Sequence, residues 1–117
     1  MRALLFSTRT YQTLLAMAVM TIALLAVTKA SYPTPGGDKS MHALAFFVLA
    51  LLSYGAWRRP LWPQWLGLAA YGALIEAMQW LLPYRQASWL DWLADLAGIA
   101  IFHLLLALVL WLRRSPS

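Results

Sequence analysis

The chain consists of four long apolar runs separated by short polar breaks. The runs cover approximately residues 12–30, 40–57, 62–82 and 89–112. A helix rising 1.5 Å per residue needs about 20 residues to cross the hydrocarbon core of a bilayer. Helices are expected because lipid offers no hydrogen-bond partner to a backbone N–H or C=O group. The pattern therefore predicts an all-α protein, a four-helix transmembrane bundle that forms a single domain over residues 1–117.

Composition supports an integral membrane protein. Hydrophobic residues make up 62% of the chain and charged residues 11%, whereas a soluble domain has about 25% charged residues. The chain has no cysteine, which excludes a disulfide, a thiolate nucleophile and a Cys-ligated metal. No metal or other cofactor is predicted. The net charge of +5 does not indicate nucleic-acid binding, because the basic residues follow the topology of the membrane helices.

The basic residues predict the orientation of the bundle. Six of them belong to the N-terminus, the loop after the second run and the C-terminus: Arg2, Arg9, Arg58, Arg59, Arg113 and Arg114. The two other loops and their flanks hold Lys29, Lys39 and Arg85. Because cytoplasmic loops carry the excess of Lys and Arg, both termini are predicted to be cytoplasmic, in a bacterial inner membrane. The alternative, a cleaved signal peptide at the N-terminus, is disfavoured by the length of the first run and by Lys29.

Polar side chains converge near the extracytoplasmic ends of the helices. His42 lies about one turn into the second helix, and Glu76 lies about 9 Å below the end of the third. Asp91 and Asp95 share one face at the start of the fourth helix. Since an isolated carboxylate at that depth is costly, these groups should face one another or a polar pocket. The predicted binding residues are Asp38, Lys39, His42, Glu76, Gln79, Arg85, Asp91 and Asp95.

Structural interpretations stand beside the functional one. Asp38 and Asp91 are suitable helix-capping residues. His42 can serve only to bond a neighbouring carboxylate, and His103, alone in the other half of the bundle, is expected to make an interhelical hydrogen bond. Glu76 lies inside a span, and neither capping nor snorkelling accounts for it.

The polar residues form a known pattern. Asp38-Lys39-x-x-His42 with Phe46, then Glu76-x-x-Gln79 with Arg85, then Asp91-x-x-x-Asp95-x-x-Gly98 resemble the three motifs of the VanZ-like family in order and spacing. They span residues 38–98, most of the chain. Two positions depart from the family pattern: Asp95 stands where Asn is common, and Phe102 where a glycine follows.

The resemblance implies a membrane protein without an agreed reaction. The family is named for a protein that accompanies glycopeptide-resistance genes and raises resistance to teicoplanin. That role is attached here by family resemblance only, and the motifs do not by themselves imply antibiotic resistance.

Three functions fit these residues. The first is an envelope-modulating protein that binds an anionic membrane lipid or a lipid-linked envelope precursor, with Lys39 and Arg85 contacting phosphate. The second is a membrane-embedded enzyme acting on a lipid-linked or phosphate substrate, with candidate catalytic residues His42, Glu76 and Asp91; a metal held by His42 and carboxylates belongs to this alternative. The third is a small transporter acting as an oligomer. No nucleic-acid partner is predicted, and the oligomeric state is not determined by the sequence.

The topology can be tested by labelling single cysteines, since the natural chain contains none. We expect a membrane-impermeant thiol reagent applied to intact cells to label Pro35→Cys and Gln86→Cys but not Ser7→Cys or Ser115→Cys. The reason is the six-to-three distribution of basic residues. Labelling of all four after permeabilisation is the control. Labelling of Ser7→Cys in intact cells would contradict the predicted orientation.

Overall fold

The computed structural model describes residues 6–27, 38–58, 60–83 and 89–114, excluding the side chains of Asp38 and Lys39. Four helices account for nearly all of this part of the chain, and it contains no strand. They are α1 (Thr8–Val27), α2 (Asp38–Trp57), α3 (Trp62–Leu81) and α4 (Trp89–Arg113). The predicted all-α, four-helix architecture is confirmed.

Three of the four described helices are long and apolar enough to cross a membrane. Their most apolar windows have mean hydropathies of 1.8 in α1, 1.5 in α2 and 2.4 in α4. The remaining helix, α3, is also 20 residues long, but it carries Gln64, Glu76 and Gln79. Two of these side chains, Gln64 and Gln79, are buried inside the bundle, where polar groups of a membrane helix are expected. The crossing of α3 remains a prediction.

Local hydrogen bonds determine where α1 begins and α2 ends. The first helix starts at Thr8 rather than near residue 12, because the Ser7 hydroxyl accepts the Thr10 N–H at 3.1 Å and so caps the helix. At the other boundary Arg58 has a left-handed backbone, with φ of 67°. Its N–H donates to the Tyr54 carbonyl at 2.7 Å, which ends α2 with a left-handed cap.

The helices approach most closely where a glycine, which has no side chain, lies at their interface. A Cβ atom at Gly98 of α4 would overlap the carbonyl oxygen of Ala43 in α2, and one at Gly55 of α2 would overlap the ring of Tyr11 in α1. Small residues allow membrane helices to approach in this way. As a result α2 is the central helix, with its most extensive contact to α4 and the next to α1.

Aliphatic and aromatic side chains fill the interior, whereas large apolar side chains cover the outside. Leu49 is fully buried, and Phe47 meets Phe102 edge-to-face at a centroid distance of 5.6 Å. On the outer surface Leu81 and Leu104 are 83% and 70% exposed. Apolar surface of this extent is unusual in a soluble monomer and is suited to lipid.

Hydrogen bonds from side chains to backbone carbonyls connect the helices. Tyr71 of α3 donates to Val19 of α1 at 2.6 Å, and Trp92 of α4 donates to Ala69 of α3 at 3.0 Å. Gln12 of α1 donates to the Ala56 carbonyl of α2 at 3.1 Å. Such bonds contribute to helix association in lipid, where no hydrophobic force acts between helices.

A matched pair of glycine substitutions tests the α2–α4 packing. Gly98→Ala should lower stability by about 1–3 kcal/mol, because the new methyl group meets a backbone carbonyl that cannot move away cheaply. Gly67→Ala is the control, since a Cβ there meets nothing within 4 Å and alanine is the better helix former. Thermal unfolding in detergent measures both. Equal melting temperatures for the two variants would show that α2 and α4 are not in close contact at Gly98.

Candidate functional site

The polar residues gather at one end of the bundle. The Gln79 side chain of α3 donates to the Ala26 carbonyl near the end of α1 at 3.2 Å, and His42 near the start of α2 meets Asp95 near the start of α4. The ends of α1 and α3 therefore lie beside the beginnings of α2 and α4. We call this the site end of the bundle; by the sequence prediction it is extracytoplasmic.

A histidine–aspartate pair forms the centre of the site. His42 Nδ1 lies 2.9 Å from Asp95 Oδ1, and the Asp95 residue is 1% exposed. The other oxygen, Oδ2, has no hydrogen-bond partner among the described residues and lies against Gly72 of α3, 2.9 Å from where a Cβ would stand. Gly72 thus leaves room for the carboxylate, and the pair joins α2 to α4.

Two further carboxylates surround the free edge of the imidazole. His42 Nε2 lies 4.0 Å from Asp91 Oδ2, one helical turn before Asp95 on the buried face of α4. One ligand atom from each of His42, Glu76 and Asp91 lies within 4.8 Å of the other two. Three helices therefore contribute to one polar cluster, which we define as His42, Glu76, Asp91 and Asp95.

The side chains of the cluster differ in how exposed they are. The side chain of Asp95 is 1% exposed, that of Asp91 10% and that of His42 24%. A molecule approaching from outside would therefore meet His42 before Asp91 and would not reach Asp95. Asp95 can act on such a molecule only through the imidazole that it holds.

The cluster is acidic in composition. It combines three carboxyl groups with one imidazole, whereas the described arginines belong to the opposite end of the bundle: Arg9, Arg58, Arg113 and Arg114. Carboxylates in a membrane span require a partner or loss of charge. An ionised Asp95 only accepts hydrogen bonds, so the proton of the His42–Asp95 bond then resides on Nδ1. In the neutral imidazole this leaves Nε2 as an acceptor facing Asp91 and Glu76.

The structure brings together four of the eight predicted binding residues. These four are His42, Glu76, Asp91 and Asp95, while Gln79 is turned to the Ala26 carbonyl and joins α3 to α1. The side chains of the other three predicted residues, Asp38, Lys39 and Arg85, lie outside the described residues. The carboxylate hydrogen-bonded to His42 is Asp95, which the sequence placed among the binding residues but not among the catalytic candidates.

Polar contacts in the opposite half of the bundle were not predicted. Ser53 of α2 donates to Gln64 of α3 at 3.3 Å, and Gln64 donates to the Pro60 carbonyl at 2.9 Å. They lie beside a mainly apolar cleft of about 420 Å³ between α1, α2 and α3. Uncharged residues at single positions gave no signal for this pair in the sequence.

The expectation for His103 was wrong. Its ring meets Trp65 edge-on at a centroid distance of 5.3 Å, and its Nδ1 is buried without a hydrogen-bond partner among the described residues. The ring is therefore held by aromatic packing against α3 in place of the expected interhelical hydrogen bond. Trp65 is the fourth residue of α3, and nothing in the sequence links that position to His103, so the sequence offered no signal for this contact.

The sequence family accounts for the polar pattern. A profile of the VanZ/LLP1 family matches residues 3–111, nearly the whole chain. The chain belongs to the VanZ/LLP1 family. Comparison with curated proteins and with solved structures gave no match.

Both departures from the VanZ pattern have a structural context. An Asn in place of Asp95 can still accept the Nδ1–H of His42, so either residue suits the pair. Phe102 fills interior space, being 5% exposed and packed against Phe47. The room that a glycine would leave at that position is occupied here by the aromatic ring.

Three substitutions test the His42–Asp95 pair. We expect Asp95→Asn to fold with a small loss of stability, because the amide oxygen can accept the same hydrogen bond. Asp95→Ala should cost about 1–3 kcal/mol, since it leaves the partly buried Nδ1 of His42 without its acceptor. A double-mutant cycle with His42→Ala, followed by melting in detergent, should give a coupling energy of about 0.5–3 kcal/mol. Additive effects would show that the pair does not stabilise the bundle.

Proposed function

We propose that this VanZ-family membrane protein resides in the bacterial inner membrane and binds an anionic amphiphile, a phospholipid or a lipid-linked envelope precursor, at its site end. Binding would either sequester the ligand or present it to the reactions that build the cell envelope. The observation that carries the proposal is the convergence of His42, Glu76 and Asp91 within 4.8 Å at the end of a bundle with an apolar exterior. Structural stability alone gives no reason to place so many ionisable groups in a membrane helix bundle.

The difference in exposure between Asp95 and His42 supports a binding role. The buried Asp95 fixes the orientation of the partly exposed His42, so a polar headgroup would meet a preoriented imidazole. Preorganised polar groups of this kind distinguish a ligand site from ordinary helix contacts. The His42–Asp95 hydrogen bond of 2.9 Å is therefore central to the proposal.

Apolar surface around the site end suits the lipid part of such a ligand. Trp80 and Leu81 at the end of α3 are 81% and 83% exposed, and Trp89 at the start of α4 is 69% exposed. Tryptophan is favoured at the headgroup level of a bilayer. A headgroup over the cluster would place its chains along these side chains, with no need to enter the cleft in the opposite half.

The sequence supplies the groups that would hold phosphate. Lys39 is the second residue of α2, and Arg85 follows the end of α3 in the sequence, so both are assigned to the site end by chain position. An arginine can contact phosphate through two parallel hydrogen bonds. In the proposal these two cations provide the anion selectivity that the acidic cluster by itself does not.

A second candidate function is catalysis on a lipid-linked or phosphate substrate. The specific observation in its favour is the Asp95–His42 arrangement, since a carboxylate that orients an imidazole is a common device of general acid–base catalysis. His42 would transfer the proton through Nε2, and Asp95 would act as a positioning residue. No group in the described cluster is an evident nucleophile, so the attacking group would have to be water or a second substrate.

Native mass spectrometry of the purified protein tests lipid binding. We expect retention of phosphatidylglycerol or of an isoprenoid phosphate in preference to phosphatidylcholine. Arg85→Ala and Lys39→Ala should each weaken this preference, because they remove a phosphate contact. Arg114→Ala is the matched control at the opposite end. Equal retention of anionic and zwitterionic lipid by the wild type would contradict the proposal.

The same samples separate binding from catalysis. Lipid extracted after incubation should have an unchanged mass if the protein only binds it. A product that forms with the wild type, but not with His42→Ala, would identify an enzyme and replace the first candidate by the second.

A further inference from the structure

We propose that His42, Glu76 and Asp91 form a binding site for one divalent first-row metal ion such as Zn²⁺. The three residues lie on three different helices, and one ligand atom of each lies within 4.8 Å of the other two. Ligand atoms around an ion at about 2.0–2.2 Å are separated by roughly 3–3.5 Å. Side-chain rotations without helix movement can close the remaining distance.

The orientation of His42 is independent support for a metal. Its Nδ1 is occupied by Asp95 at 2.9 Å, which directs Nε2 toward Asp91 at a distance of 4.0 Å. That distance is too long for a hydrogen bond, and in the neutral imidazole it separates two acceptors that a metal ion between them can bind together. A histidine that ligates a metal commonly bonds a carboxylate through its other nitrogen, which fixes its orientation and raises its basicity. Asp95 occupies this position and is 1% exposed.

The charge of the site points in the same direction. Glu76, Asp91 and Asp95 lie around one imidazole in the helix bundle, and carboxylates are common ligands of divalent cations. A divalent cation bound by two carboxylates and an imidazole would neutralise Asp91 and Glu76 together. The donor set of one nitrogen and two carboxylate oxygens suits Zn²⁺ or Mn²⁺ better than Mg²⁺ or Ca²⁺, which favour oxygen ligands alone.

The metal would also explain how an acidic cluster receives an anion. Three protein ligands leave at least one coordination position of Zn²⁺ open, and a phosphate oxygen can occupy it. This second step depends on the proposed binding of an anionic amphiphile. The metal site itself does not, because it is defined by the protein side chains alone.

Metal binding is measured with Zn²⁺ and Co²⁺ on the purified full-length protein in detergent, without added lipid. We expect one Zn²⁺ per chain by elemental analysis after removal of excess metal, and a visible Co²⁺ absorption band that Zn²⁺ abolishes. Zn²⁺ should raise the melting temperature of the wild type, because a ligand stabilises the state to which it binds. Mg²⁺ should produce no comparable shift.

Matched variants locate the site. His42→Ala, Asp91→Asn and Glu76→Gln should each lose the bound metal, whereas His103→Ala, which removes the other histidine, should keep it. Asp95→Asn should weaken metal affinity by about 10–100-fold, because it keeps the hydrogen bond to His42 but removes the negative charge that raises the basicity of the ligating imidazole. Circular dichroism of each variant shows whether the helices remain folded, so that loss of metal is not confused with loss of structure.

Several outcomes would overturn the metal site. These are the absence of metal from a folded wild type, retention of metal by folded His42→Ala, or its loss from His103→Ala. The lipid proposal fails separately, if anionic lipid is not preferred. Chelation that removes the metal without changing lipid retention would uphold the metal site and exclude its role in holding phosphate.

Discussion

The hydrogen bond between His42 and Asp95 is the interaction on which the arrangement of the site end depends. It joins α2 to α4 through two ionisable side chains that would be costly to place in a lipid environment without a partner. Because Asp95 is almost completely buried, the imidazole is oriented from behind, and its Nε2 faces Asp91. The position of every other group in the cluster is defined relative to this ring. Gly72 contributes by leaving space for the second oxygen of Asp95.

Much of the fold was predictable because a bilayer restricts the choice of structure. Four apolar runs of helix length, interrupted by proline, glycine and arginine, permit little other than a helical bundle. Helix ends were less predictable, since they depend on single hydrogen bonds. Ser7 extends α1 by capping it, and the sequence pattern placed the start of the helix several residues later. The third run was predicted to span the membrane like the others, but the polar side chains that α3 buries in the bundle lower its hydropathy, so its crossing stays a prediction.

The cluster itself was predictable in membership but not in its internal contacts. Helix period and depth indicated that His42, Glu76, Asp91 and Asp95 would come close together. They could not show that Asp95, and not Asp91, would hold the imidazole, because the two lie about one turn apart on the same face of α4, and a shift of that helix by about one turn along its axis exchanges them. Gln79 shows the same limitation. It shares a face with Glu76 in the sequence, yet it bonds a carbonyl of α1, since a buried carbonyl near the end of a helix needs a donor. His103 was assigned the wrong kind of contact, because a ring can be held by packing as well as by a hydrogen bond.

The close approach of α2 and α4 at Gly98 has a mechanical consequence. Backbone meets backbone there, so the two helices form one stiff body that carries His42, Asp91 and Asp95. Glu76 belongs to α3, whose contacts with α2 and α4 are much less extensive. Three residues of the polar cluster are therefore fixed relative to one another, whereas the fourth, Glu76, is held less firmly. A displacement of α3 would therefore change the distance of Glu76 from the other three side chains, and the limited contacts of that helix offer little resistance to it.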